Sequence, residues 1–203
     1  MTLAELLYET SKAELNLAKI TEIFQRDVSL SYKLLRYSNS AIFKRRAEIE
    51  TIKQALVVLG QSELKKFLSL LFTAQISSDK PAELMRMSMT RARFAEGLAA
   101  IDGKVDTGKA FLTGLMSLMD AILDEPIASV MEKLPLAKEI KDALVENSGI
   151  LAEYLTLIKH YEAAQWQQAN QAINQLGIAT DKVPDAYHTA VQWANEQMKA
   201  LAD

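Results

Sequence analysis

The positions of glycine and proline constrain the fold of this chain most strongly. Only seven Gly and four Pro occur among 203 residues, and most of them lie between or at the ends of stretches whose apolar residues recur with a helical period. Such a period builds one apolar stripe along a helix, whereas a half-buried strand alternates apolar and polar residues. No Asn-Gly or Asp-Gly pair joins two alternating runs, as a tight β-hairpin would require. The pattern predicts an all-α protein of about ten to twelve helices.

Several helix ends have a physical reason. Thr51 and Gln54 have the spacing of a capping box. Gly60 can take the left-handed conformation that ends a helix. Asp106 or Thr107 can cap the start of the helix predicted over 106–124. The predicted helices are 2–10, 13–26, 29–38, 51–59, 62–77, 81–101, 106–124, 126–134, 136–146, 150–163, 165–176 and 184–202.

The stretch 106–124 is the most apolar part of the chain and is predicted as one central helix. Gly114 within it costs about 1 kcal/mol relative to alanine. We expect a neighbouring helix to pack against this bare backbone in compensation. We expect the Ser117 hydroxyl to donate to the carbonyl one turn back.

No linker, repeat or low-complexity tract separates independent halves. Residues 38–50 and 177–183 read as loops between helices. We therefore expect one compact domain over 1–203, with an N-terminal lobe of about 1–78 and a C-terminal lobe of about 79–203.

Charge and cysteine content exclude several classes of protein. The net charge is −3 and the sequence pI is about 5.5, so no overall positive field attracts nucleic acid or an anionic membrane. The absence of cysteine excludes thiol catalysis and disulfides. No signal-peptide pattern and no apolar run of membrane-spanning length occurs, so we expect a cytoplasmic protein.

Motifs for catalysis are missing. The two histidines, His160 and His188, lie in the last quarter without an HExxH pattern or an adjacent acid. A catalytic divalent metal needs three or more nitrogen or oxygen donors, so two isolated histidines do not suffice. Neither a GxSxG nucleophile motif nor a phosphate-binding GxxxxGK[ST] or GxGxxG motif occurs. We expect no cofactor.

Basic residues cluster around residue 45. Lys44, Arg45 and Arg46 follow a helix that carries Lys33 and Arg36. Phosphate contact is one interpretation, but in an acidic protein such a cluster is more often a solvated face or a surface for a protein partner. Nucleic acid is therefore an unlikely partner.

Two linked motifs resemble the hallmark of HDOD domains, which are HD-related output domains. Residues 27–41 read Asp-Val-Ser-Leu-Ser-Tyr-Lys-Leu-Leu-Arg-Tyr-Ser-Asn-Ser-Ala, and residues 51–60 read Thr-Ile-Lys-Gln-Ala-Leu-Val-Val-Leu-Gly at the usual distance. The resemblance implies mostly structural roles for Asp27, Leu30, Leu34, Asn39, Ser40, Ala55, Leu59, Gly60 and Gly114.

The C-terminal part is similar to the tail of HDOD domains that follow an EAL domain. The matching segments are 161–166, 176–178 and 190–194, with Trp166 and Trp193 among them. EAL domains bind or hydrolyse cyclic di-GMP. The resemblance thus implies a signalling context and a bacterial source, with an EAL domain as a possible neighbour.

The chain departs from the metal-binding pattern of the HD superfamily. The core helix of that superfamily typically reads Gly-Leu-Leu-His-Asp, and Gly114 aligns with its glycine. The His-Asp pair then falls on Ser117 and Leu118, and an upstream histidine falls near Arg91. The resemblance therefore implies a degenerate site, since an arginine repels a cation and a leucine offers no donor.

We expect a non-enzymatic output domain that contacts a protein partner or an adjacent signalling domain, and a homodimer is left open as a further mode of contact. One alternative is a nucleotide sensor that uses the vestigial pocket, with Arg91 or Arg93 meeting a phosphate. A less favoured alternative is a metal-dependent phosphohydrolase. Arg86, Arg91 and Arg93, like the pair Lys65-Lys66, are expected on helix surfaces.

Overall fold

A computed structural model describes residues 5–6, 8–9, 14–40, 43, 49–76, 80–134 and 136–201. This part of the chain is helical without a strand, which confirms the all-α prediction. No helix in it has the length and apolar character needed to cross a bilayer. The helices are α1 (Leu17–Gln25), α2 (Val28–Ser38), α3 (Ile52–Ile76), α4 (Ala82–Asp102), α5 (Thr107–Met116), α6 (Met119–Leu123), α7 (Ile127–Lys133), α8 (Lys138–Val145), α9 (Ile150–Glu162), α10 (Trp166–Leu176) and α11 (Val183–Leu201), with a 3₁₀ turn at Thr180–Lys182.

The chain divides into two compact units. The first comprises Met1–Gln75 together with Gln197–Asp203, and the second comprises Ile76–Glu196. This division falls close to the lobe boundary expected near residue 78. The final residues differ from that expectation, because they group with the first unit rather than with the second.

The first unit is organised by aromatic and aliphatic side chains of α1, α2 and α3. Phe24 stacks on Phe67, with ring centroids 6.5 Å apart, and Tyr37 lies 4.8 Å from the same ring. Leu34 is fully buried, whereas Leu30 is half-buried. At the start of α3, Ala55, Leu56 and Leu59 are buried and form the inward face of the helix.

Gly60 interrupts α3. Its φ of 69° and ψ of 178° are non-helical, so two helical segments meet there, as the predicted break between 51–59 and 62–77 requires. The ψ value differs from the left-handed helical conformation expected of a C-terminal glycine, because the chain resumes as a helix at once. Only glycine adopts this combination of angles without strain.

In the second unit, α4 and α5 approach each other closely at Gly114. A Cβ atom built on Gly114 would lie 2.4 Å from the Arg91 carbonyl oxygen and 2.7 Å from the Ala92 Cα. These separations are far below van der Waals contact, so no side chain fits there. The expectation that a neighbouring helix packs on this backbone is confirmed.

The prediction of one helix over 106–124 is wrong. Asp106 caps α5 by accepting from the Lys109 N–H at 2.9 Å, but α5 ends at Met116 and α6 begins at Met119. The Ser117 hydroxyl donates to the Gly114 carbonyl at 2.7 Å, and the Ser117 N–H shares that carbonyl at 3.3 Å. A bond to the residue three positions back tightens the last turn and ends the regular helix.

Candidate functional site

The structure brings together two of the three positions that align with metal ligands of the HD superfamily. Arg91 lies on α4, and Ser117 follows the last residue of α5. The Arg91 Nη1 donates to the Ser117 Oγ at 3.2 Å. Leu118 comes next in the chain and is half-buried, and it offers no polar atom beyond its backbone. The close approach of α4 and α5 at Gly114 places these residues next to one another.

A carboxylate from a third helix completes this cluster. Glu162 is the last residue of α9, and it pairs with Arg91 through two parallel hydrogen bonds. The Arg91 Nε donates to Glu162 Oε1 at 2.9 Å, and Nη2 donates to Oε2 at 2.7 Å. This fork-to-fork geometry is the strongest form of an arginine–carboxylate pair. We call Arg91, Ser117 and Glu162 the ion-pair site.

The ion-pair site is largely removed from water. The exposed fraction is 9% for the Arg91 side chain and 18% for the Glu162 side chain. A buried charge is tolerated when an opposite charge and hydrogen bonds compensate the loss of hydration. Here the guanidinium has a bidentate carboxylate and a hydroxyl, so the positive charge is held in place inside the second unit.

Glu162 was not predicted as a site residue, and Arg91 is buried more deeply than its sequence position indicates. Arg91 was expected on a helix surface, but it is buried because α5 and α9 cover that side of α4. The missed signal was its neighbourhood on α4, where Ala92, Phe94 and Ala95 are apolar and buried. An arginine in such a stretch requires a buried acidic partner. The sequence alone does not say which of its acids that partner is.

The residues of this site do not fit a divalent metal ion. A guanidinium has no lone pair to donate and repels a cation. The neighbouring Leu118 offers no side-chain donor, and the carboxylate of Glu162 already pairs with Arg91. Within the described ranges, no group of three or more His, Asp or Glu side chains is arranged to hold a metal.

The motif residues at the end of α2 form a hydrogen-bonded turn. Asp27 caps the start of α2 by accepting from the Leu30 N–H at 3.0 Å. At the other end, Asn39 Nδ2 donates to the carbonyls of Leu35 at 3.0 Å and Ile49 at 2.8 Å, and its Oδ1 accepts from the Ile49 N–H at 2.7 Å. Asn39 therefore joins the end of α2 to the chain that leads into α3.

Ser40 and the Thr51–Gln54 pair are further motif positions in the first unit, and they differ in their hydrogen bonding. The Ser40 hydroxyl is buried and has no hydrogen-bond partner among the described residues. The predicted capping box at the start of α3 is present, because the Thr51 N–H donates to Gln54 Oε1 at 3.1 Å and the Gln54 N–H donates to Thr51 Oγ1 at 3.2 Å.

The two tryptophans have opposite environments. Trp193 is 6% exposed and meets Phe111 edge to face, with ring centroids 5.8 Å apart. Trp166 is 55% exposed and rests its ring against Tyr161 at 5.2 Å. Burial raises the pKa of the Tyr161 hydroxyl, and neighbouring Tyr187 raises it further. Trp193 is thus a core residue, and Trp166 presents its indole at the surface.

Two of the other predicted ligand or partner contacts have hydrogen-bond or ion-pair partners of their own. Arg36 donates to the Lys199 carbonyl at 3.1 Å, within the first unit. Arg93 is half-buried and pairs with Glu96 one turn along α4. Arg45 and Arg46 lie outside the described residues.

A buried polar pair lies elsewhere in the second unit. Tyr154 is fully buried, and its hydroxyl donates to Asp102 Oδ2 at 2.6 Å. The other oxygen of this carboxylate accepts from the Lys104 N–H at 2.9 Å. Burial, together with the carboxylate, raises the pKa of the Tyr154 hydroxyl well above its usual value.

Two open cavities on the second unit lie away from the ion-pair site. The larger has a volume of about 360 Å³ and is lined by polar residues that include Lys104, Lys109 and Glu139. The smaller, of about 160 Å³, lies between α9 and α10. Neither cavity is lined by Arg91 or Ser117.

Comparison with known proteins places this geometry in a family. Residues 1–123 match the HDOD domain family. The chain is 36% identical over 193 residues to the cyclic di-GMP phosphodiesterase CdgJ of Vibrio cholerae, which covers 95% of this chain and 45% of that protein. It is 31% identical over 199 residues to the uncharacterized protein YuxH of Bacillus subtilis, covering 97% of this chain and 48% of that protein. The chain therefore spans about half the length of these relatives.

Among solved structures, a putative phosphohydrolase from Shewanella amazonensis has the same fold. The TM-score is 0.70 at 18% sequence identity, and the match covers 98% of this chain and 93% of that chain. The helical architecture is therefore that of a phosphohydrolase-like fold, although the residues at the ion-pair site do not fit a metal. The family match and the identity to two relatives show that this chain belongs to the HDOD family.

Proposed function

We propose that this chain is a non-catalytic output domain of a cyclic di-GMP-related signalling protein and acts by contact with another protein domain. The observation that carries the proposal is the Arg91 guanidinium at the position of a lost metal ligand, paired with Glu162 and Ser117. An arginine side chain is positively charged throughout the physiological pH range. It supplies the positive charge at this place in the fold, but no Lewis acid and no metal-bound water.

The relatives support the signalling context. CdgJ carries the name of a cyclic di-GMP phosphodiesterase, and the present chain corresponds to about half of its length. In a protein of this kind, we expect the phosphodiesterase activity to lie in the other half, in an EAL domain. The present chain would then be the partner domain, in the cytoplasm where the nucleotide is made and degraded.

Exposed apolar side chains in the first unit support action by protein contact. Val28 and Tyr32 lie one turn apart on the exposed side of α2, and Val57 is exposed on α3. Large apolar side chains that remain in water are common at protein–protein contacts. The three lie on segments that carry the family motif, so we take this unit as the surface for the adjacent domain.

The nucleotide-sensor alternative receives less support. Its phosphate contact would be Arg91 or Arg93, and both already pair with carboxylates. A phosphate would have to displace Glu162 from a bidentate pair, and neither of the two cavities described above is lined by Arg91. The alternative predicts a thermal shift with cyclic di-GMP, whereas our proposal predicts none at saturating nucleotide.

The first experiment tests catalysis. The chain is purified from cells supplied with manganese, iron and zinc, and its metal content and hydrolysis of bis-p-nitrophenyl phosphate and cyclic di-GMP are measured. We expect substoichiometric metal and no turnover. Stoichiometric metal, or turnover that disappears in the Glu162→Gln variant, would contradict the proposal. That variant is the control for a contaminating hydrolase, which would survive the substitution.

The second experiment tests the output role. The chain and the EAL domain that we propose as its neighbour are produced separately, and their association is followed by calorimetry. We expect the Val28→Asp/Tyr32→Asp double variant to weaken association at least about tenfold, since it places charge in an apolar contact. The matched control is Gln25→Asp, which adds a carboxylate at an exposed position of α1 and is expected to bind as the parent does.

A further inference from the structure

The helix α10 and its flanks have an unusual charge distribution. Charged residues make up 24% of the whole chain, yet residues 163–180 contain no Asp, Glu, Lys, Arg or His. A surface helix of a soluble protein ordinarily carries charged side chains on its exposed face. The complete helix α10 and both of its ends therefore lack the charged side chains that a surface helix usually carries.

The structure shows that this uncharged helix is a surface helix. Its inner side, formed by Ala169, Ile173 and Leu176, is buried in the core of the second unit. The remaining side chains that face water are an indole and a continuous set of amides. They are Trp166, Gln167, Gln168, Asn170, Gln171, Asn174 and Gln175, which we call the amide face.

Trp166 adds a large apolar group at one end of the amide face. Trp166 is 55% exposed, and one edge of its ring rests on Tyr161. The rest of its surface is open to contact by a partner. Tryptophan combines a large contact area with little loss of conformational freedom, and it is enriched among the residues that dominate binding energy. The core of a protein interface is likewise depleted of charged residues.

We infer that the amide face is the contact between two copies of this chain related by a two-fold axis. In such a contact the same patch meets itself, so any charge near the axis meets an identical charge. A patch without charge avoids that repulsion. Each Gln or Asn side chain both donates and accepts hydrogen bonds, so the amides of one copy satisfy those of the other. A charged partner surface would instead lose hydration without gaining an opposite charge.

The two-fold axis identifies the residue that reports on the contact. When two antiparallel copies of a helix overlap along their whole length, the two-fold axis that relates them passes beside the middle of the helix. The middle of Trp166–Leu176 is Gln171, which is exposed. The Gln171 side chains of the two copies are therefore the closest pair of equivalent residues across the axis.

The contact is small, and this determines the experiment. A helix of 11 residues is about 16 Å long, so the area it buries lies at the low end for specific interfaces. We therefore expect a weak, concentration-dependent dimer. Sedimentation velocity of the 203-residue chain from micromolar to near-millimolar concentration measures its dissociation constant.

Charge placed at Gln171 tests for a second copy. The Gln171→Glu variant and the Gln171→Lys variant each bring like charges together across the axis, so each is expected to raise the dissociation constant about tenfold or more. An equimolar mixture of the two variants is expected to associate again, because unlike charges then meet. Recovery on mixing also shows that neither variant is misfolded.

Trp166 gives an independent reading. Trp166→Ala is expected to weaken the dimer about tenfold or more, since the indole is the largest exposed group on the amide face. In the parent chain, quenching of tryptophan fluorescence by iodide should fall as concentration rises and the indole is covered. The matched control for Gln171→Glu is Gln192→Glu, which makes the same chemical change at an exposed position of α11 and should leave the dissociation constant unchanged.

Three outcomes would overturn the inference. The chain is monomeric at every concentration, or its dimer is unaffected by charge at Gln171, or the two charged variants do not associate when mixed. Binding of a different protein to the amide face of a monomeric chain would likewise exclude a second copy as the occupant.

Discussion

The turn after α2 and the ion-pair site both depend on polar side chains, yet they draw on the sequence in different ways. Asn39 in the turn bonds to backbone groups of Leu35 and Ile49, four and ten residues away. At the ion-pair site, Arg91 bonds to side chains 26 and 71 residues away. The turn can form from its own segment, whereas the ion-pair site exists only after three helices have packed.

This difference has an energetic consequence. In the turn after α2, each capping hydrogen bond stabilises the fold by about 1 kcal/mol. The ion-pair site lies where the backbones of α4 and α5 touch. A substitution there therefore disturbs packing, charge compensation and hydrogen bonding together. Substitutions in the second unit should therefore lower the free energy of unfolding more than substitutions in the turn after α2. The four predictions below test this difference.

The largest effect is expected for Gly114→Ala. The new methyl group would lie within 2.7 Å of three backbone atoms of α4, which cannot move aside as a flexible side chain can. We expect the free energy of unfolding to fall by about 3 kcal/mol or more, as measured by urea denaturation. The control is Gly97→Ala on α4, whose methyl would lie 3.3 Å from the Ala186 Cβ and should cost less than about 1 kcal/mol. Parent-like stability of Gly114→Ala would show that the helices are not so close.

Removal of Arg91 comes next. Arg91→Ala leaves Glu162 half-buried without its partner, and we expect a loss of about 2–3 kcal/mol, with a coupling to Glu162→Gln of at least about 1 kcal/mol in a double-mutant cycle. Arg86→Ala breaks the exposed pair with Glu83 and should change stability by no more than about 0.5 kcal/mol. Additive effects of the two changes at the ion-pair site would mean that the pair contributes little.

The Tyr154–Asp102 pair predicts a dependence on alkaline pH. Because the pKa of Tyr154 is raised on folding, the unfolded chain loses this proton first as the pH rises past 10.0, the ordinary value for tyrosine. The unfolded state then binds fewer protons than the native state, so the stabilisation is complete below that pH and is lost above it. The slope for this group approaches about 1.4 kcal/mol per pH unit. Tyr154→Phe should flatten the alkaline limb of stability against pH, and an unchanged limb would contradict the assignment.

The smallest effect is expected in the turn of the first unit. Asn39→Ala removes three hydrogen bonds, of which the one to Leu35 is exposed and the two to Ile49 are part-buried, and we expect a loss of about 1–2 kcal/mol. Thr51→Ala, which removes only one bond of the capping box, serves as the graded control at about 1 kcal/mol. A loss at Asn39 larger than that at Gly114 would reverse the order between the two regions.

Much of the fold could be predicted because its causes are local. The capping box at Thr51 and Gln54, the cap at Asp106 and the break at Gly60 depend on residues within one turn of the helix end. The need for a close helix at Gly114 was also predictable, since a bare backbone in an apolar helix is compensated only by contact.

Other features depend on contacts that no local pattern encodes. The end of α5 at Met116 was missed because the propensity of an apolar stretch favours a continuous helix, whereas the hydroxyl of Ser117 and its place beside Arg91 favour a break. The exposure of Trp166 and the burial of Trp193 likewise differ although both residues lie in similar helical patterns.

By itself, the sequence determined the helical class, most helix ends, the family motifs and the absence of an adjacent His-Asp pair. The tertiary structure decided which side chains surround Arg91 and Ser117. Arg91 could pair with any of the chain's 26 acidic residues as far as the sequence shows, and only the packing of α9 against α4 selects Glu162. The physical reason is that a buried charge chooses its partner by distance in space, which the folded backbone sets.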